Sequence, residues 1–304
     1  MTSSHVLRAP VCAICHTQDN AVELYPANFD HSAFNPAVFS ARRLPDRIHY
    51  RIVKCKACGL VRSDPVADTA LLTQLYAQSG FSYGGEAQNL RRTYGRYLAR
   101  LNRHGARKGS LLEIGCGNGF FLVEALAQGY AVARGVEPSA EAVAGADLRV
   151  RPHIVCDVMR PGLFTPEEFD VICLFQIFDH VPDPNALLAE CAHLLKRGGL
   201  MLFLQHDVEA LSARVLKERS PIIDIEHTYL YSAATLRHLV SAHGLIVKES
   251  GSVRNTYSLY YLLRLLPAPP RVKHALLKWI EGSAWSRISV TVPLGNLYLI
   301  AARS

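Results

Sequence analysis

The sequence predicts an α/β protein whose central sheet is mostly parallel, preceded by a smaller segment that carries paired cysteines. Three observations lead to this prediction. Short apolar runs bounded by turn residues alternate with helical patterns from about residue 109 onward. A glycine-rich turn follows the first of these runs, and two C-x-x-C pairs lie before it. At 304 residues the chain has room for one large or two modest domains.

The most informative segment is LLEIGCGNGFFL, from Leu111 to Leu122. Its apolar start predicts a buried parallel strand, its three glycines predict a tight turn, and the residues after them predict the start of a helix. Glycines at this spacing let the backbone approach a ligand closely, and the N–H groups of the helix point toward that ligand. A second predicted strand ends in Glu137, about twenty residues further on, where a carboxylate can bind the hydroxyls of a ribose.

These residues resemble the S-adenosylmethionine (SAM) site of class I methyltransferases, which have a Rossmann-like seven-stranded sheet. The resemblance covers roughly residues 109–250 and the last strand, and it includes the runs EFDVICLFQIFDHVPDP and LLKRGGLMLFL. A dinucleotide-dependent dehydrogenase fits less well, because the glycine spacing is G-x-G-x-G rather than G-x-G-x-x-G. The resemblance therefore implies that SAM is the cofactor.

The resemblance also assigns residues to the cofactor. It implies that Glu113 lies near the methionine amine, that Glu137 binds the ribose and that Asp157 lies beside the adenine. The end of the fourth strand is expected to border the methionine moiety. The full set implied for SAM binding is Glu113, Gly115, Cys116, Gly117, Gly119, Glu137, Asp157, Phe175 and Gln176.

The strands of the sheet are predicted near residues 110–115, 131–137, 153–156, 169–174, 199–204, 245–250 and 295–302. We expect the last of them, in GNLYLIAAR, to be the antiparallel edge-pairing strand that distinguishes class I methyltransferases from Rossmann dehydrogenases. Two helices have clear sequence signals. ALLTQLYAQ, after Asp68, predicts a short amphipathic helix, and ATLRHLVSA predicts a helix that Ser232 caps and Gly244 ends.

Eight cysteines divide into two groups of four. One group forms the two C-x-x-C pairs, which can place four thiolates around one zinc ion, and redox-active cysteines are the alternative. Because no cysteine of these pairs is left over, the zinc site is expected to be closed and structural. Its predicted ligands are Cys12, Cys15, Cys55 and Cys58. The other four lie in apolar, core-like contexts at Cys116, Cys156, Cys173 and Cys191.

The positive charge of the chain is concentrated at its beginning. Residues 1–108 hold 15 Lys and Arg against 7 Asp and Glu, whereas the remainder holds 18 against 19. One stretch without acids carries Arg91, Arg92, Arg96, Arg100, Arg103, Arg107 and Lys108. This stretch could bind a phosphate-rich partner. We favour a solvated helix that connects two domains, with Tyr94, Leu98 and Leu101 on its buried side.

The predicted organisation is a zinc-binding domain at 1–68, a helical linker at 69–108 and a SAM-binding domain at 109–304. An insertion at about 252–290 interrupts the last part, and it is apolar and aromatic before it becomes amphipathic. It could cover the substrate pocket, form a dimer contact or rest on a membrane surface. A packed cover or a dimer contact is the favoured outcome.

Candidate proton acceptors follow strands, at the edge where open sheets bind their ligands. His180 lies in the D-H-V-P-D-P run, and Glu226 and His227 lie in PIIDIEHTYLYS. With the zinc segment, these runs resemble the sugar C-methyltransferases of deoxysugar pathways. That resemblance implies active-site roles for His180, Glu226 and His227, and for Tyr83 in a glycine-rich loop. The chain has Asp224 where that family has a tyrosine, and we expect it to lack that family's further C-terminal domain.

We expect His227 to act as the base or to orient the substrate. In an extended backbone Asp224 and Glu226 would point to one side, and Ile225, His227 and Tyr229 to the other. Glu226 could then support His227 only if the chain turns there. His206, after the fifth strand, lies near the same rim.

The predicted function is SAM-dependent methylation, on carbon or oxygen, of a sugar, nucleotide sugar or related small metabolite, which could carry phosphate. An RNA methyltransferase that uses the zinc segment and the basic helix is one alternative, although nucleic acid is the less favoured substrate. A protein that binds SAM or zinc without turnover is another. No apolar run reaches the roughly 18 residues of a membrane span, and the N-terminus lacks the apolar core of a secretory signal. We therefore expect a cytoplasmic monomer or homodimer.

Overall fold

The structure is a computed structural model that describes residues 7–29, 48–78, 86–265, 270–281, 283, 285 and 288–304. Its strands in these ranges are β1 (Leu7–Arg8), β2 (Ala21–Tyr25), β3 (Ile52–Cys55), β4 (Val61–Ser63), β5 (Val66–Ala67), β6 (Ser110–Ile114), β7 (Val132–Val136), β8 (Ile154–Val155), β9 (Phe169–Phe175), β10 (Leu195–His206), β11 (Tyr229–Leu230), β12 (Leu245–Ser252), β13 (Asn255–Ser258), β14 (Ser289–Val292) and β15 (Asn296–Arg303). Its α-helices are α1 (Thr69–Ala77), α2 (Ala87–Arg100), α3 (Phe120–Ala127), α4 (Ala140–Ala144), α5 (Pro184–Leu194), α6 (Leu211–Leu216), α7 (Ala233–Ala242), α8 (Leu259–Leu265) and α9 (Pro270–Glu281).

The central sheet has seven strands in the order β12-β15-β10-β9-β6-β7-β8. The pairs from β10 to β8 are parallel, and β15 is antiparallel to both of its neighbours. The predicted α/β fold is therefore confirmed, as is the antiparallel last strand, which pairs with the edge strand β12 on one side and with β10 on the other. The order changes direction between β6 and β9, and open α/β sheets bind their ligands at such a point.

Alternate residues of the central strands pack on opposite faces of this sheet. Leu112 and Ile172 face a core that contains α5 and α7, whereas Leu111 and Val171 face a core that contains α2 and α3. Every residue of β9 is buried, as expected for a strand covered on both faces. Helices on both sides thus hold the sheet rigidly and fix the positions at which its strands end.

The two helices with clear sequence signals form as predicted. Asp68 caps α1, and its side chain accepts a hydrogen bond from the backbone N–H of Leu71 at 2.8 Å. Ser232 caps α7 in a reciprocal arrangement with Thr235. The helix ends at Ala242, and Gly244 follows with a φ of +74°, a conformation that costs glycine little.

The cysteine-bearing segment is joined to the α/β part through a second sheet, with four strands in the order β11-β4-β3-β2. Strand β11 comes from the loop after β10, and it pairs antiparallel with β4. The Tyr229 hydroxyl also donates to the backbone carbonyl of Val11, beside the first cysteine pair. Residues 11–29 and 48–63 and residues 229–230, which are distant from them in sequence, therefore build one continuous structure.

The basic stretch forms α2 and the turn after it, and its apolar side is buried as predicted, since Tyr94, Leu98 and Leu101 lie in the core. Several of its cations already have partners within the chain. Arg91 pairs with Glu124 at 2.7 Å, Arg100 with Glu249, and Arg107 with Asp170 at 3.2 Å. These contacts tie the helix to the central sheet, and they support the structural role that the sequence favoured.

The four cysteines outside the C-x-x-C pairs differ in their exposure. Cys116, Cys173 and Cys191 are buried as predicted, but Cys156 is exposed, so its core-like assignment is wrong. Cys156 follows the short strand β8 at the rim of the sheet, where the apolar neighbours in sequence do not cover it.

In the described part of the chain, no helix is long and apolar enough to cross a membrane.

Candidate active site

A cavity of about 1100 Å³ opens at the carboxyl ends of β6, β7, β9 and β10. Its walls also include α1, the loop after β10 and the segment from β13 to α8. Tyr257, Tyr261 and Leu262 of that segment line it, so the predicted insertion contributes to the cover of the pocket, one of the outcomes that its sequence favoured. Pockets for a single small ligand are usually about 300–1,000 Å³. The volume therefore suits two molecules bound side by side.

The glycine turn forms one end of this cavity. Gly115 has a φ of +73°, and a Cβ atom there would lie 2.5 Å from the Cγ2 of Ile177. Its N–H donates to the carbonyl of Val136 at 2.8 Å, which holds the turn against β7. Gly119 caps α3, also with a positive φ. The turn thus needs glycine both for its backbone conformation and for its close contact with the loop after β9.

Glu137 lies at the end of β7, with 9% of its surface exposed to the cavity. Its two carboxylate oxygens accept backbone N–H bonds from Gly117 at 2.8 Å and from Ser139 at 2.9 Å. Burial raises the pKa of Glu137, and these two bonds oppose that rise. Each oxygen keeps a second lone pair. Glu137 is therefore held by the glycine turn in a position to accept further hydrogen bonds from a diol.

Glu113 and Gln176 supply buried polar atoms without partners on the same wall. The Oε2 atom of Glu113 and the Oε1 atom of Gln176 have no hydrogen-bond partner among the described residues. Burial, and then the nearby Glu137, raises the pKa of Glu113 well above its ordinary value. A bound ammonium group would satisfy these acceptors and favour the ionised carboxylate. The residues therefore fit the aminoacyl end of SAM.

The remaining residues predicted for SAM binding fall into two groups. Asp157 and Phe175 line the cavity, and the Asp157 carboxylate also pairs with Arg160 at 2.8 Å. Cys116 and Gly119 do not line it. The Cys116 thiol is buried in the core against Gly135, so its side chain cannot touch a ligand in the cavity. Any contact of Cys116 with a cofactor would therefore have to come from its backbone, and its place in the predicted set stays a prediction.

Three histidines surround Asp179, which is 1% exposed. The Nδ1 atom of His206 lies 2.6 Å from Asp179 Oδ2, and the Nε2 atom of His227 lies 3.7 Å from that oxygen. The Nε2 atom of His180 lies 3.6 Å from Oδ1. All three imidazoles line the cavity. The structure thus brings together His180 and His227, which the sequence predicted, with His206, which it had placed near the same rim.

The loop that carries His227 is a turn rather than an extended strand. The N–H of His227 donates to the carbonyl of Asp224 at 3.1 Å, so the expected alternation of side chains does not hold. Asp224, Glu226 and His227 all line the cavity, whereas Ile225 packs in the core beside α1. The chain therefore turns at these residues, which is the condition that the sequence set for Glu226 to support His227. Tyr83 lies outside the described residues.

Burial sets the protonation of this cluster. It lowers the pKa of His227 to about 3 and also lowers the pKa of His180. Burial opposes the ionisation of Asp179, but the surrounding imidazoles hold the pKa of that carboxyl well below its usual range. His180 and His227 are therefore neutral near pH 7, beside an ionised carboxylate. His227 donates through Nδ1 to the carbonyl of Ile222 at 2.8 Å, which leaves its Nε2 lone pair facing Asp179.

Two residues of the site carried weak sequence signals. The Tyr76 hydroxyl lies 3.0 Å from His180 Nδ1, although Tyr76 comes from α1, about a hundred residues earlier in the chain. Its apolar helical context gave no sign of a polar role. Asp179 was visible only as the residue before His180. Its position at the centre of the cluster depends on the packing of the loop after β9, the end of β10 and the loop of His227, which no local sequence pattern indicates.

The four predicted zinc ligands also come together. The sulfur atoms of Cys12, Cys15, Cys55 and Cys58 all lie within 4.8 Å of one another. The closest pairs are Cys12 with Cys58 and Cys15 with Cys55, each at 3.4 Å. A tetrahedral zinc site with Zn–S bonds of about 2.3 Å needs sulfur separations of about 3.8 Å. The cluster therefore fits one zinc ion with small adjustments.

Comparison with known proteins gives a family for this fold and site. The model of a family described as "Methyltransferase domain" matches residues 87–250, which is more than half of the chain. A ubiquinone biosynthesis O-methyltransferase of Neisseria meningitidis is 27% identical over 114 residues, which cover 35% of this chain and 48% of that protein. The Caulobacter vibrioides protein of the same name is 33% identical over 117 residues, covering 34% and 45%. The chain thus spans less than half of the length of these curated relatives.

Among solved structures, the fold is similar to geranyl diphosphate C-methyltransferase from Streptomyces coelicolor. The sequence identity is 15% and the TM-score is 0.48, with 75% of this chain and 89% of that chain covered.

The conformation of Gly115 gives a testable prediction. Gly115→Ala should place a methyl group against Ile177, displace the turn and weaken SAM binding by at least tenfold, measured by calorimetric titration. Gly105→Ala is the matched control, because Gly105 has a φ of +76° but nothing within 4 Å of its Cβ position. It should lose only about 1–2 kcal/mol of stability for the positive φ. Unchanged SAM affinity in Gly115→Ala would contradict this assignment of the turn.

Proposed function

The chain belongs to the methyltransferase domain family, and we propose that it transfers a methyl group from SAM to a small metabolite. We infer that the acceptor is a sugar, a nucleotide sugar or a related hydroxyl-bearing compound, methylated on oxygen or carbon. The observation that carries this proposal is one cavity with two different ends. The glycine turn, Glu113 and Glu137 form one end, and the histidine cluster around Asp179 forms the other.

When bound, SAM supplies a methyl carbon on a sulfonium, which a nucleophile displaces in line. The residues of this chain then have two tasks, to hold the acceptor in line and to remove its proton where needed. Glu113 and Glu137 hold the two ends of the cofactor. The polar groups of the acceptor meet His180, His206 and His227, while Tyr257 and Tyr261 cover it from the insertion.

The structure favours a small acceptor over RNA. An RNA substrate would need a row of cations free to bind phosphates. Arg91, Arg100 and Arg107 are instead engaged with acidic side chains of the same chain, and Arg96 donates to the carbonyl of Arg254. The names of the curated relatives, which are small-molecule O-methyltransferases, also support an oxygen acceptor. A protein without turnover is the alternative that an activity assay would reveal.

The cofactor assignment predicts the effect of changing Glu137. Glu137→Ala should weaken SAM binding by about 2–3 kcal/mol, because the ribose loses two charge-assisted hydrogen bonds. Glu137→Gln should cost less, since one acceptor oxygen remains. Glu141→Ala is the control, because Glu141 is an exposed carboxylate on the next helix. Calorimetric titration measures all three, and an unchanged affinity in Glu137→Ala would show that SAM binds elsewhere.

We also propose one structural zinc ion per chain at the four clustered cysteines. Metal analysis of purified protein should find this zinc, and Cys55→Ser should lose it. A closed site contributes folding free energy directly, so the second sheet should loosen. SAM affinity should change little, because the cofactor residues lie on the central sheet. Cys156→Ser, at an exposed cysteine outside the cluster, should keep the zinc. A well-folded protein without zinc, or with a disulfide at either pair, would overturn this proposal.

The histidine cluster predicts a selective loss of turnover. His227→Ala should lower kcat by about 10²–10⁴-fold, the usual range for a group that assists proton transfer. SAM affinity should remain close to that of the parent, because His227 lies at the acceptor end. His238→Ala is the control at an exposed position of α7. Steady-state kinetics with an acceptor found by screening sugars and phenols measures the effect, and full activity in His227→Ala would remove this role.

A further inference from the structure

The Asp179 cluster consists of Asp179, His180, His206 and His227. Some of its acceptor atoms lack a donor, and a role of one histidine as a base does not explain this. Asp179 is a buried carboxylate whose Oδ1 has no hydrogen-bond partner among the described residues, and its Oδ2 has one partner, the Nδ1 of His206. A buried charge with so few hydrogen bonds is costly. Such a charge usually has a cation or several donors beside it.

The hydrogen bonds of His227 show that a second acceptor atom faces Asp179. Its Nδ1 lies 2.8 Å from the carbonyl oxygen of Ile222, which can only accept, so the proton of the neutral ring is on Nδ1. The lone pair on Nε2 then faces the Oδ2 of Asp179 at 3.7 Å. That separation is too long for a hydrogen bond, and both atoms are acceptors. A positive centre that accepts both lone pairs would resolve the conflict.

The donor atoms have the spacing of a metal site. The ligand atoms of Asp179, His206 and His227 all lie within 4.8 Å of one another, and they come from the loop after β9, the end of β10 and the loop before β11. Metal bonds of about 2.0–2.2 Å from nitrogen and oxygen can span this space. His206 would have to carry its proton on Nε2 and move slightly from Asp179, because two ligands of one ion cannot remain 2.6 Å apart.

We propose that Asp179, His206 and His227 bind one divalent transition-metal ion, of the zinc or ferrous class, on the acceptor wall of the cavity. Two imidazoles and one carboxylate are a ligand set that suits these ions and leaves coordination positions open. The open positions would face the cavity that these residues line. His180, whose Nδ1 is held by Tyr76, lies beside this group without belonging to it.

The role of the metal rests on the proposed methyl transfer. With the ion bound, an acceptor hydroxyl on it would lose its proton to solvent more easily, as metal-bound water does, and His227 would assist this proton transfer as a ligand of the ion rather than as the base. The resulting oxygen attacks the methyl carbon of SAM. A carbon–oxygen bond forms, the carbon–sulfur bond breaks, and its electron pair returns to sulfur, which becomes a neutral thioether. No oxidant or reductant takes part, so a redox-inactive ion is sufficient.

Cobalt(II) titration of the full-length protein tests the site without an acceptor. After the tetrathiolate cluster is filled with zinc, further Co²⁺ should bind with one equivalent, giving visible d–d bands but no thiolate charge-transfer band. Azide, a small anion that takes open coordination positions, should shift those bands. His206→Ala should weaken this binding by about 100-fold or more, and Asp179→Asn should weaken it without changing the size of the side chain.

Two controls separate this site from others. His238→Ala should bind Co²⁺ as the parent does, and so should Cys156→Ser, at an exposed cysteine outside both clusters. Circular dichroism confirms that each variant is folded. Absence of the second equivalent in the parent, or equal binding in folded His206→Ala, would overturn the metal site. A lack of any azide shift would overturn its open position.

The outcomes also distinguish this inference from the proposed function. If the protein binds SAM and methylates an acceptor with the second site free of metal, the function holds and the metal proposal fails. If Co²⁺ binds as described but SAM does not, the metal site holds and the methyltransferase proposal fails. Calorimetric titration of SAM on the same preparation supplies the second measurement.

Discussion

The pairing of β11 with β4 is the constraint on which the acceptor end of the cavity depends. It joins a two-residue strand after His227 to the strand that follows the second cysteine pair. The Ser63 hydroxyl donates to the carbonyl of His227 at 2.7 Å, and the N–H of Thr228 donates to the carbonyl of Asp179 at 2.8 Å. Through these contacts the loop of His227 is held between the cysteine-bearing segment and the loop after β9. A zinc ion at the four cysteines would thus act on the site through backbone hydrogen bonds, although it lies outside the cavity.

The two ends of the cavity are built in different ways. At the cofactor end, β6 and β7 place Glu113 and Glu137, and backbone N–H groups of the glycine turn fix the Glu137 carboxylate. All these groups belong to one βαβ unit, so their geometry follows from local chain connections. At the acceptor end, the polar groups come from α1, from the loop after β9, and from β10 and the loop after it. Because contacts distant in sequence hold that end, its geometry depends on the whole fold.

This difference explains how much the sequence could predict. The strands, the glycine turn and the carboxylates at their ends follow local rules of apolar periodicity and turn formation, so the fold and the position of these carboxylates at one cavity could be predicted from the sequence. The cysteine pairs were equally clear, because their spacing is itself the signal. The extended alternation expected at residues 224–229 failed, because the N–H of His227 bonds to Asp224 and turns the chain. Asp179 and Tyr76 could not be assigned, since their roles arise only when loops distant in sequence pack together.

The distribution of polarity in the cavity limits how an acceptor can lie in it. Leu72 of α1, Tyr257 and Tyr261 from the insertion, and Leu216 beside the loop after β10 form apolar walls. The lining also holds polar side chains, among them Glu113, Glu137 and the imidazoles around Asp179. An acceptor with one polar edge and a less polar body would lose hydrogen bonds in any orientation but the one that directs this edge toward the histidines. In the proposed function, this orientation would place the polar edge against the histidines and the less polar body against the apolar walls. The cluster would then help to select the methylated atom, and the apolar walls would limit the shape of the acceptor.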